Sequence, residues 1–172
     1  MTEIQRRFLE LRSHPETVVV NYPGDSISLG PLYSREYASC NGVALLAEEI
    51  AGLTHHDSGM ESEIYLNEII NRMERQGQFP NSAVVVAGDE RHLEKNLRVL
   101  EERGIAVANG YSDNWSEVPL LTEGIFKSLR LKMRRSENKS GLKDILVVPE
   151  TKEVLMYRSP ITGEPGDFIR LN

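Results

Sequence analysis

Cysteine is scarce in this chain of 172 residues, because Cys40 is the only one. A single cysteine permits no internal disulfide, and no CxxC or Cys/His spacing typical of a zinc site is present. No apolar run approaches the roughly eighteen residues that span a membrane, and the first residues lack the apolar core of a signal peptide. We therefore expect a cytoplasmic protein without membrane insertion.

Basic residues are also fewer than acidic ones, 20 against 26. The net charge of −6 does not favour non-specific binding to nucleic acid, so no nucleic-acid partner is expected. Hydrophobic residues make up 40% of the chain and charged residues 27%, which are ordinary proportions for a globular protein. The length predicts a single domain over residues 1–172.

Apolar residues at helical spacing predict three helices. The first covers residues 2–13, the second begins at the capping-box sequence Ser58–Glu61, and the third follows the turn Gly88-Asp89. The inward-facing residues are expected to be Ile4, Phe8 and Leu11 in the first helix, Ile64, Ile69, Ile70 and Met73 in the second, and Leu93, Leu97 and Leu100 in the third.

Short apolar runs bounded by turn residues predict the strands. Residues 82–108 read as a strand–helix–strand unit with parallel strands. Two runs near the C-terminus flank the loop 149–152 and read as a hairpin. The expected strands are 17–22, which is expected to be buried, 27–29, 82–87, 105–108, 144–148 and 153–157.

Residues 40–55 carry the chemistry and have two interpretations. As a hairpin with its turn centred between Ala47 and Glu48, they place Cys40 directly opposite His55, within reach of a thiol–imidazole contact. Adjacent strand residues point to opposite faces, so His55 and His56 cannot both serve Cys40. For the same reason, a metal site built from His55, His56 and Asp57 is disfavoured.

As a helix, the same segment would hold Cys40 and His55 about 22 Å apart. Local propensity favours this alternative, because Glu48-Glu49 is a poor turn sequence and alanine, leucine and glutamate are strong helix formers. The base would then have to be His14 or His92. The apolar residues at helical spacing are Val43, Leu46, Ala47, Ile50 and Leu53.

The pattern of Ser39-Cys40, an apolar run and then Gly52-Leu53-Thr54-His55 resembles the CheD family of chemoreceptor glutamine deamidases. That family carries a G-S-C-V-x-V strand followed by G-G-L/M-x-H on the next strand. The predicted order of later elements agrees, and the resemblance covers roughly residues 17–158. The segment 115–142 has no match and is expected to be an insertion, and residues 159–172 are expected to form a tail.

The resemblance implies an α+β fold of mixed β-sheets packed together, with helices on the outside. It implies that Cys40 is the nucleophile, that His55 is its base, and that Ser34 orients the imidazole in place of a family threonine. The activity would be hydrolysis of glutamine side chains in a protein substrate such as a chemoreceptor, with no cofactor. This relationship favours the hairpin interpretation of residues 40–55.

Two other functional classes stay open. A non-catalytic CheD-like adaptor would bind a regulatory protein partner, and the basic segment 127–143 would offer a docking surface for an acidic partner, because it holds seven of the twenty basic residues. A small α/β binding domain would use the Gly88-Asp89 turn as an anion site, although no G-x-G-x-x-G or Walker sequence is present.

Overall fold

A computed structural model describes residues 1–37, 40–56, 61–87, 90–112, 134–135, 142–159 and 166–172. The described helices and strands form an α+β fold, as expected. In chain order they are α1 (Glu3–Arg12), β1 (Val18–Val19), β2 (Gly24–Ser28), β3 (Leu32–Tyr37), β4 (Gly42–Leu46), β5 (Ala51–His55), α2 (Ser62–Arg75), β6 (Ser82–Ala87), α3 (Glu90–Glu102), β7 (Ala106–Ser112), β8 (Arg134–Arg135), β9 (Leu142–Val148), β10 (Glu153–Ser159) and β11 (Asp167–Arg170).

Two mixed sheets face each other, with helices on the outside. Sheet A has the order β1-β3-β9-β10-β11, and sheet B has the order β2-β5-β4-β6-β7-β8. The β1–β3 pair in sheet A and the β6–β7 pair in sheet B are parallel. Helix α1 covers the outer face of sheet A through Phe8, and α2 and α3 cover the outer face of sheet B. The expected layered architecture is therefore confirmed.

Sheet B is buried on both of its faces. On one face, Val43 and Leu45 pack with the helices α2 and α3. On the other face, Ala44, Leu46 and Leu53 pack against residues of sheet A. A strand with two buried faces is apolar at every position instead of at alternate ones. Its sequence therefore lacks the polar–apolar alternation that would identify it as a strand.

Residues 42–55 form an antiparallel β-hairpin, so the helical alternative for this segment is wrong. The turn Glu48-Glu49 lacks a turn-forming sequence, but it is held by contacts from distant residues. Lys152 donates from Nζ to the carbonyl oxygens of Ala47 and Glu48, and the Glu49 amide donates to Gln78 Oε1 at 3.2 Å. Tertiary contacts therefore override the local preference for helix.

The register of this hairpin differs from the expected one by two residues. Leu46 pairs with Ala51, and Asn41 pairs with His56, so the turn is centred between Glu48 and Glu49. Cys40 and His55 are therefore offset along the strands instead of directly opposite. A shift of two residues leaves every side chain on its original face, so the choice of His55 over His56 is unaffected.

Most other expected elements are present. The parallel β6–α3–β7 unit and the β9–β10 hairpin form as predicted. Helix α1 begins after Thr2, whose Oγ1 accepts a hydrogen bond from the Gln5 amide at 3.2 Å. The inward residues of the three helices are buried as expected, with the exception of Ile4 and Leu11, which are partly buried, and Ile64, which is 48% exposed.

Three expectations are wrong: two concern strands at the edges of sheet A, and one concerns a lysine that is buried instead of exposed. The predicted buried strand 17–22 is reduced to β1, whose Val18 and Val19 lie exposed at the edge of sheet A. The predicted tail contains β11, which pairs with β10. Lys143, expected on a basic surface, is fully buried with its Nζ 5.9 Å from the centroid of the Tyr111 ring.

Several expectations lie outside the described residues. These are Ser39, Asp57, the capping-box residues Ser58–Met60, the Gly88-Asp89 turn, the side chain of His92, residues 160–165 of the predicted tail, and all of 115–142 except the two residues of β8 and Leu142. Most of the basic segment 127–143 falls there too. None of the helices within the described ranges combines the length and apolar character that spanning a bilayer requires.

Candidate active site

The site lies between the two sheets, where one strand of each contributes a polar side chain. Ser34 comes from β3 of sheet A, and His55 ends β5 of sheet B. Ser34 Oγ lies 2.9 Å from His55 Nδ1, and both residues are buried. Sequence reasoning expected this pair, and the packing of the two sheets brings it together.

A β-bulge in β3 shapes this end of the sandwich. The pairing of β3 with β9 shifts register between Ser34 and Tyr37, and Glu36 between them has a φ of +66°. Residues three apart on a regular strand face opposite sides, but the extra residue turns Tyr37 to the same side as Ser34. Asp144 Oδ1 accepts a hydrogen bond from the Glu36 amide at 3.0 Å, which holds the bulge.

Two tyrosines fix the plane of the His55 ring. Tyr37 stacks on it with ring centroids 3.7 Å apart and an interplanar angle of 15°. Tyr22 meets it edge-on with centroids 5.2 Å apart. The Tyr37 hydroxyl donates to the Thr54 carbonyl at 2.8 Å, so the stacked ring is itself tied to the strand that carries His55.

The hydrogen bonds of Ser34 define the tautomer of His55. The Ser34 hydroxyl donates its single proton to the Val20 carbonyl at 2.6 Å. Its oxygen must therefore accept from His55, which places the imidazole proton on Nδ1. The lone pair then lies on Nε2, which is buried and makes no hydrogen bond within the described ranges. Nε2 is accordingly the atom that can accept a proton.

Burial keeps this imidazole neutral. Loss of solvent, and to a lesser extent charge on His56, lowers the pKa of His55 from 6.5 to about 4. Burial raises the pKa of the Tyr37 phenol above its ordinary value. At neutral pH the site therefore holds a neutral base beside a neutral phenol.

Cys40 and His55 line the same cleft. The cleft has a volume of about 440 Å³, and its other walls are residues 20–22, Arg35 and Glu36. Cys40 is half-buried against the core between the sheets. A thiol and a neutral imidazole on one cleft, with a hydroxyl fixing the imidazole, are the parts of a nucleophilic cysteine site.

His56 lies on the opposite face of the hairpin. Its ring stacks on Tyr65 of α2 with centroids 4.3 Å apart, whereas His55 faces sheet A. The two imidazoles therefore cannot share a ligand, which disfavours the metal site of His55, His56 and Asp57. Among the described residues, no three histidine, cysteine or acidic side chains are grouped as a metal would need.

Three contributors to the site were missed from the sequence. Tyr37 and Tyr22 contact His55, and the Val20 carbonyl accepts the hydrogen bond donated by the Ser34 hydroxyl. Gly42 leaves room for Tyr37, because a Cβ there would lie 2.5 Å from Tyr37 Cε1. Gly42, two residues after Cys40, is visible in the sequence. The bulge that turns Tyr37 toward His55 is not, because its positive-φ position is occupied by Glu36 instead of a glycine.

A scan of protein-family models finds no match to this chain, and a search of curated proteins finds none either. The resemblance to the CheD family therefore rests on the residues quoted for it.

Proposed function

We propose that this protein is a CheD-like cysteine hydrolase that deamidates glutamine side chains of a protein substrate. The observation that carries the proposal is the chain of contacts from the Val20 carbonyl through Ser34 to His55, which leaves Nε2 as a base on the cleft that Cys40 lines. A chemoreceptor as substrate and a cytoplasmic location belong to the same proposal.

In the first step, the Cys40 sulfur bonds to the amide carbon of the substrate while its proton passes to His55 Nε2. Transfer during attack suits this site, because burial lowers the pKa of His55 and disfavours a standing imidazolium. Ser34 Oγ accepts a hydrogen bond from His55 Nδ1–H throughout and stabilises the imidazolium as it forms. Backbone N–H groups near Cys40 would stabilise the oxyanion.

In the second step, the carbon–nitrogen bond breaks and Nε2–H delivers its proton to the departing nitrogen, which leaves as ammonia. The product is a thioester on Cys40. Water then attacks the thioester with Nε2 again taking a proton, the carbon–sulfur bond breaks, and the thiol is restored. The substrate glutamine has become glutamate, and thiol, imidazole and water account for every bond change without a cofactor.

The shape of the cleft is compatible with a side chain supplied by another protein. Its volume of about 440 Å³ lies at the lower end of the usual range for small-molecule sites. Arg35 and Glu36, whose side chains are 67% and 63% exposed, lie at its rim. A glutamine projecting from a protein surface would reach Cys40 while its backbone stayed outside.

The test is incubation of the wild-type protein with a glutamine-rich receptor fragment, followed by mass spectrometry and an ammonia assay. We expect a gain of about one dalton per deamidated glutamine, abolished in Cys40→Ala and in His55→Asn. His14→Asn is the matched control, because His14 is exposed and its ring Nδ1 accepts a hydrogen bond from the nearby Glu16 amide at 3.3 Å. Equal activity in Cys40→Ala would refute the mechanism.

A wild-type protein that folds but releases no ammonia would favour the non-catalytic adaptor instead. Circular dichroism of each variant establishes whether a lost activity reflects lost chemistry or lost structure.

A further inference from the structure

A second polar cluster lies on the face of the hairpin that is turned away from Cys40. It consists of Asn41, His56 and Ser62, which are 2%, 4% and 4% exposed. Asn41 and His56 pair through their backbones, and Ser62 begins α2. Five side-chain atoms of these residues, namely both polar atoms of Asn41, both ring nitrogens of His56 and the Ser62 hydroxyl, are buried without a hydrogen-bond partner across the described ranges.

These polar atoms destabilise the folded state if no bound molecule forms hydrogen bonds with them. A buried polar group without a partner destabilises the fold, and native proteins contain few of them. Here the atoms are concentrated on three residues within one layer, between sheet B and α2. A concentration of this kind points to a polar molecule that supplies the missing hydrogen bonds.

The N-terminus of α2 supplies further donors to the same place. His56 stacks on Tyr65, which lies in the first turn of this 14-residue helix. Glu61 occupies the N-cap position, but its side chain makes no capping hydrogen bond. The Ile64 amide of this turn donates to the Glu61 carbonyl at 2.9 Å. The amides that precede it have no carbonyl one helical turn back to pair with, and the helix dipole favours negative charge at that end.

Two acidic side chains near the cluster are each paired with a cation, and a third, Glu61 at the N-cap, is exposed to solvent. Asp25, whose charge acts on His56, is bonded to Arg72. Glu63 lies 3.1 Å from Lys95. The amide nitrogen of Asn41, the hydroxyl of Ser62 and the ring N–H of His56 would all donate to an anion.

We propose that Asn41, His56 and Ser62, together with the first turn of α2, bind a compact oxyanion that retains a hydroxyl, such as hydrogen phosphate. The site is separate from the cleft of Cys40, since it lies on the other face of sheet B. It stands whether or not Cys40 has the proposed activity, because none of its residues takes part in that reaction.

The test is thermal unfolding of the full chain in about 10 mM inorganic phosphate, against sodium chloride at equal ionic strength. For millimolar affinity, linkage predicts that phosphate raises the wild-type midpoint by about 3 °C or more, with saturation at higher concentration. The shift should disappear in His56→Phe and in Asn41→Leu, and it should persist in the control variant His14→Phe. The same shift in all variants would overturn the proposal, as would its absence in the wild type.

A second measurement covers the case in which a cluster variant fails to fold. In the wild-type protein, NMR signals of the His56 ring should move on addition of phosphate while those of His14 stay in place. Unmoved His56 signals at saturating phosphate would overturn the site. In that case His56→Phe, if folded, should be more stable than the wild type, because it removes partnerless polar atoms.

Discussion

Lowering the pH from 7.5 to 5 is expected to weaken the fold through His55. The residue is 2% exposed, and burial lowers its pKa from 6.5 to about 4. Between these two values the unfolded chain holds a proton on His55 and the folded chain does not. Stability therefore rises with pH across this window and is lost as the pH falls.

The magnitude follows from the same two pKa values. The complete loss, reached below pH 4, is about 3 kcal/mol. At pH 5 most of this window has been crossed, and the loss relative to pH 7.5 is about 2 kcal/mol. Since the free energy of unfolding of a domain is typically about 5–15 kcal/mol, a loss of this size is measurable by urea denaturation.

The assay compares the wild type with His55→Asn, each unfolded by urea at pH 7.5 and at pH 5. Burial also lowers the pKa of His56, so the wild type alone would mix two contributions. The variant retains His56, and the difference between the two proteins isolates His55. We expect the wild type to lose about 2 kcal/mol more than the variant. An equal loss in both proteins would refute the assignment of a buried, neutral imidazole.

Two substitutions test the packing around the imidazole. Gly42→Ala should destabilise the fold by about 1–3 kcal/mol in urea denaturation, because its Cβ would lie 2.5 Å from the Tyr37 ring; an unchanged midpoint would show that the ring does not fill this space. Glu36→Gly should stabilise it by about 1 kcal/mol, because Glu36 has a φ of +66°. Glu36→Ala, the matched control, should bring no such gain, and equal effects would contradict the strained bulge.

The sequence predicts best where a local pattern and its surroundings agree. Strand β6 and helix α3 follow this rule, since a valine run enters a buried sheet and the leucines of α3 face that sheet. Residues 42–55 break it. Both faces of β4 are buried, so its apolar residues fit a helical period as well as a strand, and the turn depends on Lys152 and Gln78 from remote segments.

Part of the site was predictable for a comparable reason. Hairpin parity selects His55 over His56 even when the register is wrong by two residues, because side-chain direction repeats every two residues. Ser34 came from the family resemblance. The contact of Tyr37 with His55 depends on a bulge in which Glu36 has a positive φ. The sequence around Glu36 contains no glycine or other residue that would predict this conformation.

The most direct test of the central claim is the rate at which Cys40 reacts with iodoacetamide at neutral pH. Cys40 is the only cysteine of the chain, so the mass gain reports this thiol alone. If His55 Nε2 takes the thiol proton, the wild type should react about tenfold faster or more than His55→Asn, with Ser34→Ala in between. Equal rates in the three proteins would contradict a Cys40–His55 pair oriented by Ser34.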